Sequence, residues 1–164
     1  MLTIIDEYTR ECLAIDVARK LNSEDVLERL SNLFISRAVP KYIRSDNGPE
    51  FTANNVCEWL KRVEVQTLFI EPGSPWENAF IERWIKSIRE QCLNYFIIFG
   101  KKHLDHLVFS YLDFYNELCP HQALNNRPLT GAWAEVDEPL LLGEQIVCHE
   151  RLGGLLRHYE RIAA

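Results

Sequence analysis

Residues 42–51 read YIRSDNGPEF: a short apolar strand, Tyr42 to Ser45, is stopped by Asp46, Asn47, Gly48 and Pro49, residue types that favour turns. Residues 72–84 read PGSPWENAFIERW, a loop rich in Gly and Pro that leads into a helix carrying Glu82. Asp46 at a strand end and Glu82 on a helix are separated by 35 residues. Two carboxylates on two rigid elements suit divalent metal ions, because magnesium is a hard cation that takes oxygen ligands and completes its shell with water and substrate phosphate. Lys86 and Arg89 lie one and two turns beyond Glu82 and can face the phosphates beside such ions. The plainer readings are a simple Asx turn at Asp46 and a surface pair between Glu82 and Lys86 at i+4. The conjunction of strand-end Asp, Gly/Pro loop, helical Glu and neighbouring bases favours a site for phosphoryl transfer.

Outward from this core the pattern is ββαβαβ, followed by two helices. Leu2 to Ile5 and Cys12 to Val17 read as strands joined by a polar segment. Asn22 or Ser23 caps a helix whose apolar positions Val26, Leu27, Leu30, Leu33 and Phe34 keep helical spacing to about Arg37. Val56, Trp59, Leu60 and Val63 mark the next helix, and Val65 to Ile70 the next strand. Ser74 and Glu77 have the spacing of a capping box, with Pro75 at the first helical position. Along the helix that follows, Phe80, Ile81, Trp84, Ile85, Ile88 and Cys92 form an apolar arc, and Asn78, Glu82, Lys86 and Arg89 a polar edge. A last helix carries Leu104, Leu107, Val108, Tyr111, Leu112 and Tyr115 to about Glu117. Trp59, Trp76, Trp84 and Trp133 are candidates for stacking on bases, but Trp59 and Trp84 lie on apolar helical faces and read as core, and His103, His106 and His121 read as surface or helix-end residues. Residues 148–164, CHERLGGLLRHYERIAA, have two glycines as a hinge and an Arg/His-rich end; they read as a contact to DNA or a partner subunit or, in preference, as a frayed end.

At 164 residues and 47% hydrophobic, the chain is long enough for one compact domain. That domain is expected over residues 1–133, with a C-terminal tail over 134–164. The net charge of -6 is uneven. Arg83, Lys86, Arg89, Lys101 and Lys102 against Glu90 leave a local excess of four positive charges, compatible with DNA, whereas the tail is acidic. Five cysteines without a CxxC pair argue for free thiols in a reducing cytoplasm rather than a zinc site or disulfides. No apolar run has the length of a signal peptide or membrane span.

The segments SDNGPEF, PGSPWENAFIERW, IREQCLN, YNELCPHQAL and RPLTG, in this order, resemble the integrase core of bacterial insertion-sequence transposases, relatives of retroviral integrases. The resemblance runs from Leu2 to about Trp133. It implies an α/β fold of ribonuclease-H-like type, a mixed sheet flanked by helices, and a catalytic triad of two Asp and one Glu holding Mg²⁺ or Mn²⁺. By position, Asp46 matches the second acid and Glu82 the third. Asn78 and Lys86 lie near the site, Arg89 on the DNA-facing side, and Asn47 and Gly48 form the turn after the second acid. The implied partner is DNA, both element ends and target, with a homo-oligomer acting on the bacterial nucleoid in the cytoplasm.

Two departures accompany the resemblance. The family's first Asp sits on a strand preceding the one that begins at Leu2, so a truncated core lacking that strand is expected, with two sheet edges left unpaired. Asp6 aligns instead with a hairpin Asp of the family. Cys119 stands where the family usually has Arg, while His121 stays in register. The expectations are therefore part of a DNA-cutting and DNA-joining core, inactive or weak by itself, or a DNA-binding or dimerising remnant without catalysis. A two-carboxylate glycosidase is disfavoured, since Lys86 and Arg89 suit phosphate better than a neutral sugar.

Overall fold

The computed structural model describes residues 1–130 and 145–162. The chain is mixed α/β and divides into two compact units, residues 1–6 with 13–86 and residues 7–12 with 87–164. The order is β1 (Leu2–Ile5), β2 (Cys12–Asp16), α1 (Ser23–Ser36), β3 (Tyr42–Ser45), α2 (Pro49–Thr52), α3 (Asn54–Arg62), β4 (Gln66–Phe69), α4 (Ala79–Gln91), α5 (Lys101–Glu117), β5 (Gln145–Arg151) and β6 (Leu156–Ile162). The ββαβαβ reading matches the observed order except for the short helix α2, which forms where a turn was expected. Among the described residues the strands form three two-stranded ladders, β1 with β2, β3 with β4 and β5 with β6.

In the first unit, α1 begins where its capping residue places it. The Asn22 side chain accepts from the N–H groups of Glu24 at 2.8 Å and Asp25 at 3.2 Å, and Asp25 accepts from the Asn22 N–H at 2.8 Å. This reciprocal box satisfies donors that the first helical turn leaves without partners. Arg29 of α1 forms a two-pronged pair with Asp16 at the end of β2, with Nε 2.6 Å from one carboxylate oxygen. Val26 and Leu30 of α1, Val56 and Leu60 of α3, Leu2 and Val65 form a buried core. Phe34 and Trp59 stack on its margin with ring centroids 5.2 Å apart. β3 and β4 run parallel in the register Tyr42 to Gln66 through Ser45 to Phe69. Parallel neighbours need a long crossover, and the α2–α3 segment provides it.

In the second unit, Tyr111 of α5 is buried and its hydroxyl donates to Gln91 at 2.7 Å. Cys92 is also fully buried, and burial pushes its thiol up to about 11. All five cysteines are free thiols. Asn116 bonds both main-chain groups of Cys12, accepting from its N–H at 3.0 Å and donating to its carbonyl at 2.9 Å. His121 stands at a helix end, as expected, in the cap position of the 3₁₀ turn Gln122–Leu124, and is half-buried. Its Nε2 lies 3.0 Å from the Tyr115 carbonyl oxygen and its ring meets Tyr115 edge-on at 4.8 Å, which fastens the segment after α5 back onto that helix.

The C-terminal segment departs from the frayed end expected for it. Gln145–Arg151 and Leu156–Ile162 form an antiparallel hairpin of seven paired positions, and Gly153 (φ +67°) and Gly154 (φ +87°) supply its turn in a conformation other residues rarely adopt. Cross-strand contacts offset the weak local signal: His149 and His158 stack at 4.8 Å, and Arg157 pairs with Glu150 at 3.0 Å. The expected tail residues 134–144 and Trp133 lie outside the described residues.

Candidate metal centre and nucleic-acid interface

Asp46 follows the last residue of β3, and both of its neighbours hold it against the parallel strand. The Ser45 carbonyl accepts from the Ile70 N–H at 3.1 Å, and the Asn47 side chain donates to the Ile70 carbonyl at 2.8 Å. One residue at the end of β4 therefore clamps the chain on either side of Asp46. The Asp46 carboxylate is exposed, and its Oδ1 accepts from the Gly48 N–H at 3.1 Å. Gly48 is needed here for space, since its φ of −57° suits any residue. A β-carbon on it would lie 3.0 Å from Asp46 Oδ1 and 3.0 Å from the Glu50 carboxylate. Glu50 was not singled out from the sequence. The tight turn into α2, with Pro49 at its start, is what brings the second carboxylate beside the first.

The route from β4 to Glu82 is also constrained. Gly73 turns the chain at φ +83°, and residues Pro75–Asn78 form a 3₁₀ turn that runs into α4. Pro75 occupies the start of that turn, as expected, but the Ser74–Glu77 capping box does not form. The Glu77 carboxylate instead accepts from the Glu71 N–H at 3.0 Å, while the Glu77 N–H donates to the Ser74 carbonyl at 3.1 Å. The loop is closed on itself before the helix begins.

Glu82 lies in the first turn of α4 and is exposed. The apolar arc of α4 is inward as read: Trp84, Ile88 and Cys92 are buried, and Ile81 and Ile85 half-buried, whereas Phe80 is 38% exposed. Lys86 and Arg89 are exposed and Asn78 is half-buried. Asp46, Asn78, Glu82 and Lys86 belong to the first unit and Arg89 to the second, though one helix carries the last three. Lys101 is engaged by Asp105 at 2.7 Å, which lowers the local excess of positive charge. Among the described residues, no group of three or more His, Cys, Asp or Glu side chains is placed to hold a metal ion. No helix among them is long and apolar enough to cross a membrane.

Two family models, each described as an integrase core domain, match residues 1–75 and 63–128. An uncharacterized 39.2 kDa protein of insertion element IS476 from Xanthomonas euvesicatoria is 31% identical over 127 residues, which cover 77% of this chain and 37% of that protein. An uncharacterized 31.7 kDa protein of insertion element IS407 from Burkholderia multivorans is 33% identical over 124 residues, covering 76% of this chain and 45% of its own. The chain thus spans less than half the length of these two relatives. Among solved structures, the HTLV-2 integrase catalytic core domain in complex with magnesium is similar with a TM-score of 0.58 at 15% identity, covering 76% of this chain and 78% of that one. The catalytic core domain of BIV integrase is similar with a TM-score of 0.56 at 18% identity, covering 77% of this chain and 80% of that one. This likeness shows the fold: a mixed α/β core of ribonuclease-H-like type with its strands flanked by helices. By motif, matched models and fold, the chain belongs to the integrase core family, related to proteins of bacterial insertion elements and to retroviral integrases.

Proposed function

We propose that the chain is part of the catalytic core of a transposase, whose parent cuts DNA and joins its ends by metal-dependent strand transfer. The observation that carries this reading is a pair of exposed carboxylates, Asp46 directly after β3 and Glu82 in the first turn of α4. The residues on both sides of Asp46 are clamped to Ile70, and Glu82 is reached through the loop that leaves β4. The donor set is all oxygen and keeps most of its lone pairs open, which fits Mg²⁺ or Mn²⁺. When bound, such ions activate the attacking hydroxyl and offset charge at phosphorus.

The chain's own residues divide the remaining work. Asp46 and Glu82 hold the metal from two rigid elements, and Lys86 and Arg89 bind backbone phosphates of element ends and target. Asn78, at the mouth of α4, supplies a polar contact near the reacting strand. The related HTLV-2 core is described in both dimeric and trimeric forms, and a homo-oligomer is proposed for this chain as well. Residues 1–133 form the core in this reading and 134–164 an appendage, acting on DNA in the bacterial cytoplasm.

The lack of a three-ligand cluster among the described residues favours low or no cleavage by the chain alone. It also supports the second reading, a DNA-binding or dimerising module without catalysis. Manganese binding followed by electron paramagnetic resonance separates them. On the first reading Asp46→Asn and Glu82→Gln each weaken Mn²⁺ binding, and Lys86→Ala and Arg89→Ala weaken salt-sensitive DNA binding. Mn²⁺ binding untouched by both carboxylate substitutions removes the metal site and leaves the second reading. Oligonucleotide joining in Mg²⁺ at a rate unaffected by Asp46→Asn or Glu82→Gln sinks the assignment of these residues.

A further inference from the structure

The tryptophans of the described residues have different fates. Trp84 is 1% exposed and Trp59 stacks on Phe34 at the edge of the core, but Trp76 is 69% exposed. Leaving an indole in water forgoes one of the larger hydrophobic gains a side chain can make. Trp76 is not on a loose end either. It sits in the 3₁₀ turn Pro75–Asn78, between the Glu77 carboxylate bound to the Glu71 N–H at 3.0 Å and the Glu77 N–H bound to the Ser74 carbonyl. The turn leaves the ring exposed six residues ahead of Glu82 in sequence, with exposed Arg83 and Lys86 following on the next helix. Phe80, partly exposed, follows it by four residues.

An exposed aromatic face that leads into a helix bearing exposed cations and a carboxylate suits a ligand that carries both phosphates and flat apolar rings. Nucleic acid meets both requirements. Within a duplex the base faces are covered by their neighbours, so an indole reaches them only where a base is unpaired. Stacking of this kind is tolerant of sequence, because every base has a π face.

We propose that Trp76 is a stacking platform for an unpaired nucleobase at the DNA end presented to Asp46 and Glu82. The inference rests on the reading that the chain handles DNA. It makes Trp76 a positioning residue, holding a splayed strand while phosphates are held by Lys86.

The test uses the full chain and three DNAs: a blunt duplex, the same duplex with a three-nucleotide 3′ overhang, and that overhang with abasic sites in place of its bases. The wild-type chain is expected to bind the base-bearing overhang roughly tenfold more tightly than the abasic one. Its tryptophan emission should be quenched by the former only. Trp76→Ala should abolish both the preference and the quenching while leaving blunt-duplex binding and circular dichroism unchanged. Trp76→Phe should retain most of the preference. A preference that persists in Trp76→Ala, or is absent from the wild-type chain, overturns the inference. Should blunt-duplex binding still fall in Lys86→Ala in that case, the DNA-handling reading survives and only the role of Trp76 fails. Failure to bind any of the three DNAs removes both.

Discussion

Asn116→Ala tests a long-range polar contact of the second unit. The Asn116 amide serves as a substitute strand for Cys12, bonding its N–H at 3.0 Å and its carbonyl at 2.9 Å, across 104 positions of sequence. Cys12 is only 1% exposed, so truncation takes one hydrogen bond from each of two main-chain groups in a place that water reaches poorly. Each such group costs about 1–3 kcal/mol. Asn116 itself is half-buried, and water entering the space it vacates recovers part of that cost. The expected loss is therefore about 2 kcal/mol, or a fall in Tm of about 4–8 °C for a chain of this size. Thermal melting followed by circular dichroism reads it directly. Asn116→Asp sharpens the test, because a carboxylate keeps the acceptor for the Cys12 N–H but turns a lone pair toward the Cys12 carbonyl. That contact favours the protonated acid, so the new group's folded-state pKa rises above its unfolded value. The variant should be least stable above that raised pKa and regain stability as pH falls through it. A loss below about 0.5 kcal/mol for Asn116→Ala, with no pH-dependent recovery in Asn116→Asp, would refute the reasoning.

Gly48→Ala should leave the fold intact, since φ is −57°, yet weaken Mn²⁺ binding roughly tenfold by crowding the Asp46 carboxylate; titration calorimetry measures it. Thiol labelling with a disulfide reagent at pH 8 should modify exposed Cys148 first and spare Cys12 and Cys92, whose burial withholds them, Cys92 with its thiol pushed up to about 11. Burial, with His149 and Arg151 nearby, holds the His158 pKa below its ordinary 6.5, so the folded hairpin binds its proton less readily than the unfolded chain. Amide protection across β5 and β6 should therefore fall as pH drops below about 6.5, and His158→Gln should flatten that dependence.

Much of the candidate site is legible before folding is considered. Asp46 at a strand end is announced by Asn47, Gly48 and Pro49, all within reach of local turn chemistry, and Glu82 by the apolar arc beside it. Other features have no such signal. Glu50 stands beside Asp46 because the chain turns into α2 at once, and Glu77 leaves the expected cap for the Glu71 N–H because the Gly73 turn brings that donor within 3.0 Å. The frayed reading of residues 148–164 fails for a similar reason. A hairpin of polar, sparsely alternating strands is held by cross-strand partners, and no single strand of it announces the pairing.

The amino-acid sequence alone determined the order of the main elements from β1 to α5, a cap at Asn22 or Ser23, the strand-end Asp46 and the helical Glu82, because each depends on residues within about one helical turn or one β-turn of itself. Tertiary structure decided which groups those elements meet. It exposed Trp76 while burying Trp84, clamped both neighbours of Asp46 to Ile70, and gave Cys12 the Asn116 amide for a partner. These outcomes rest on chain segments brought together from far apart, where the gain of burial and paired backbone groups outweighs any local preference.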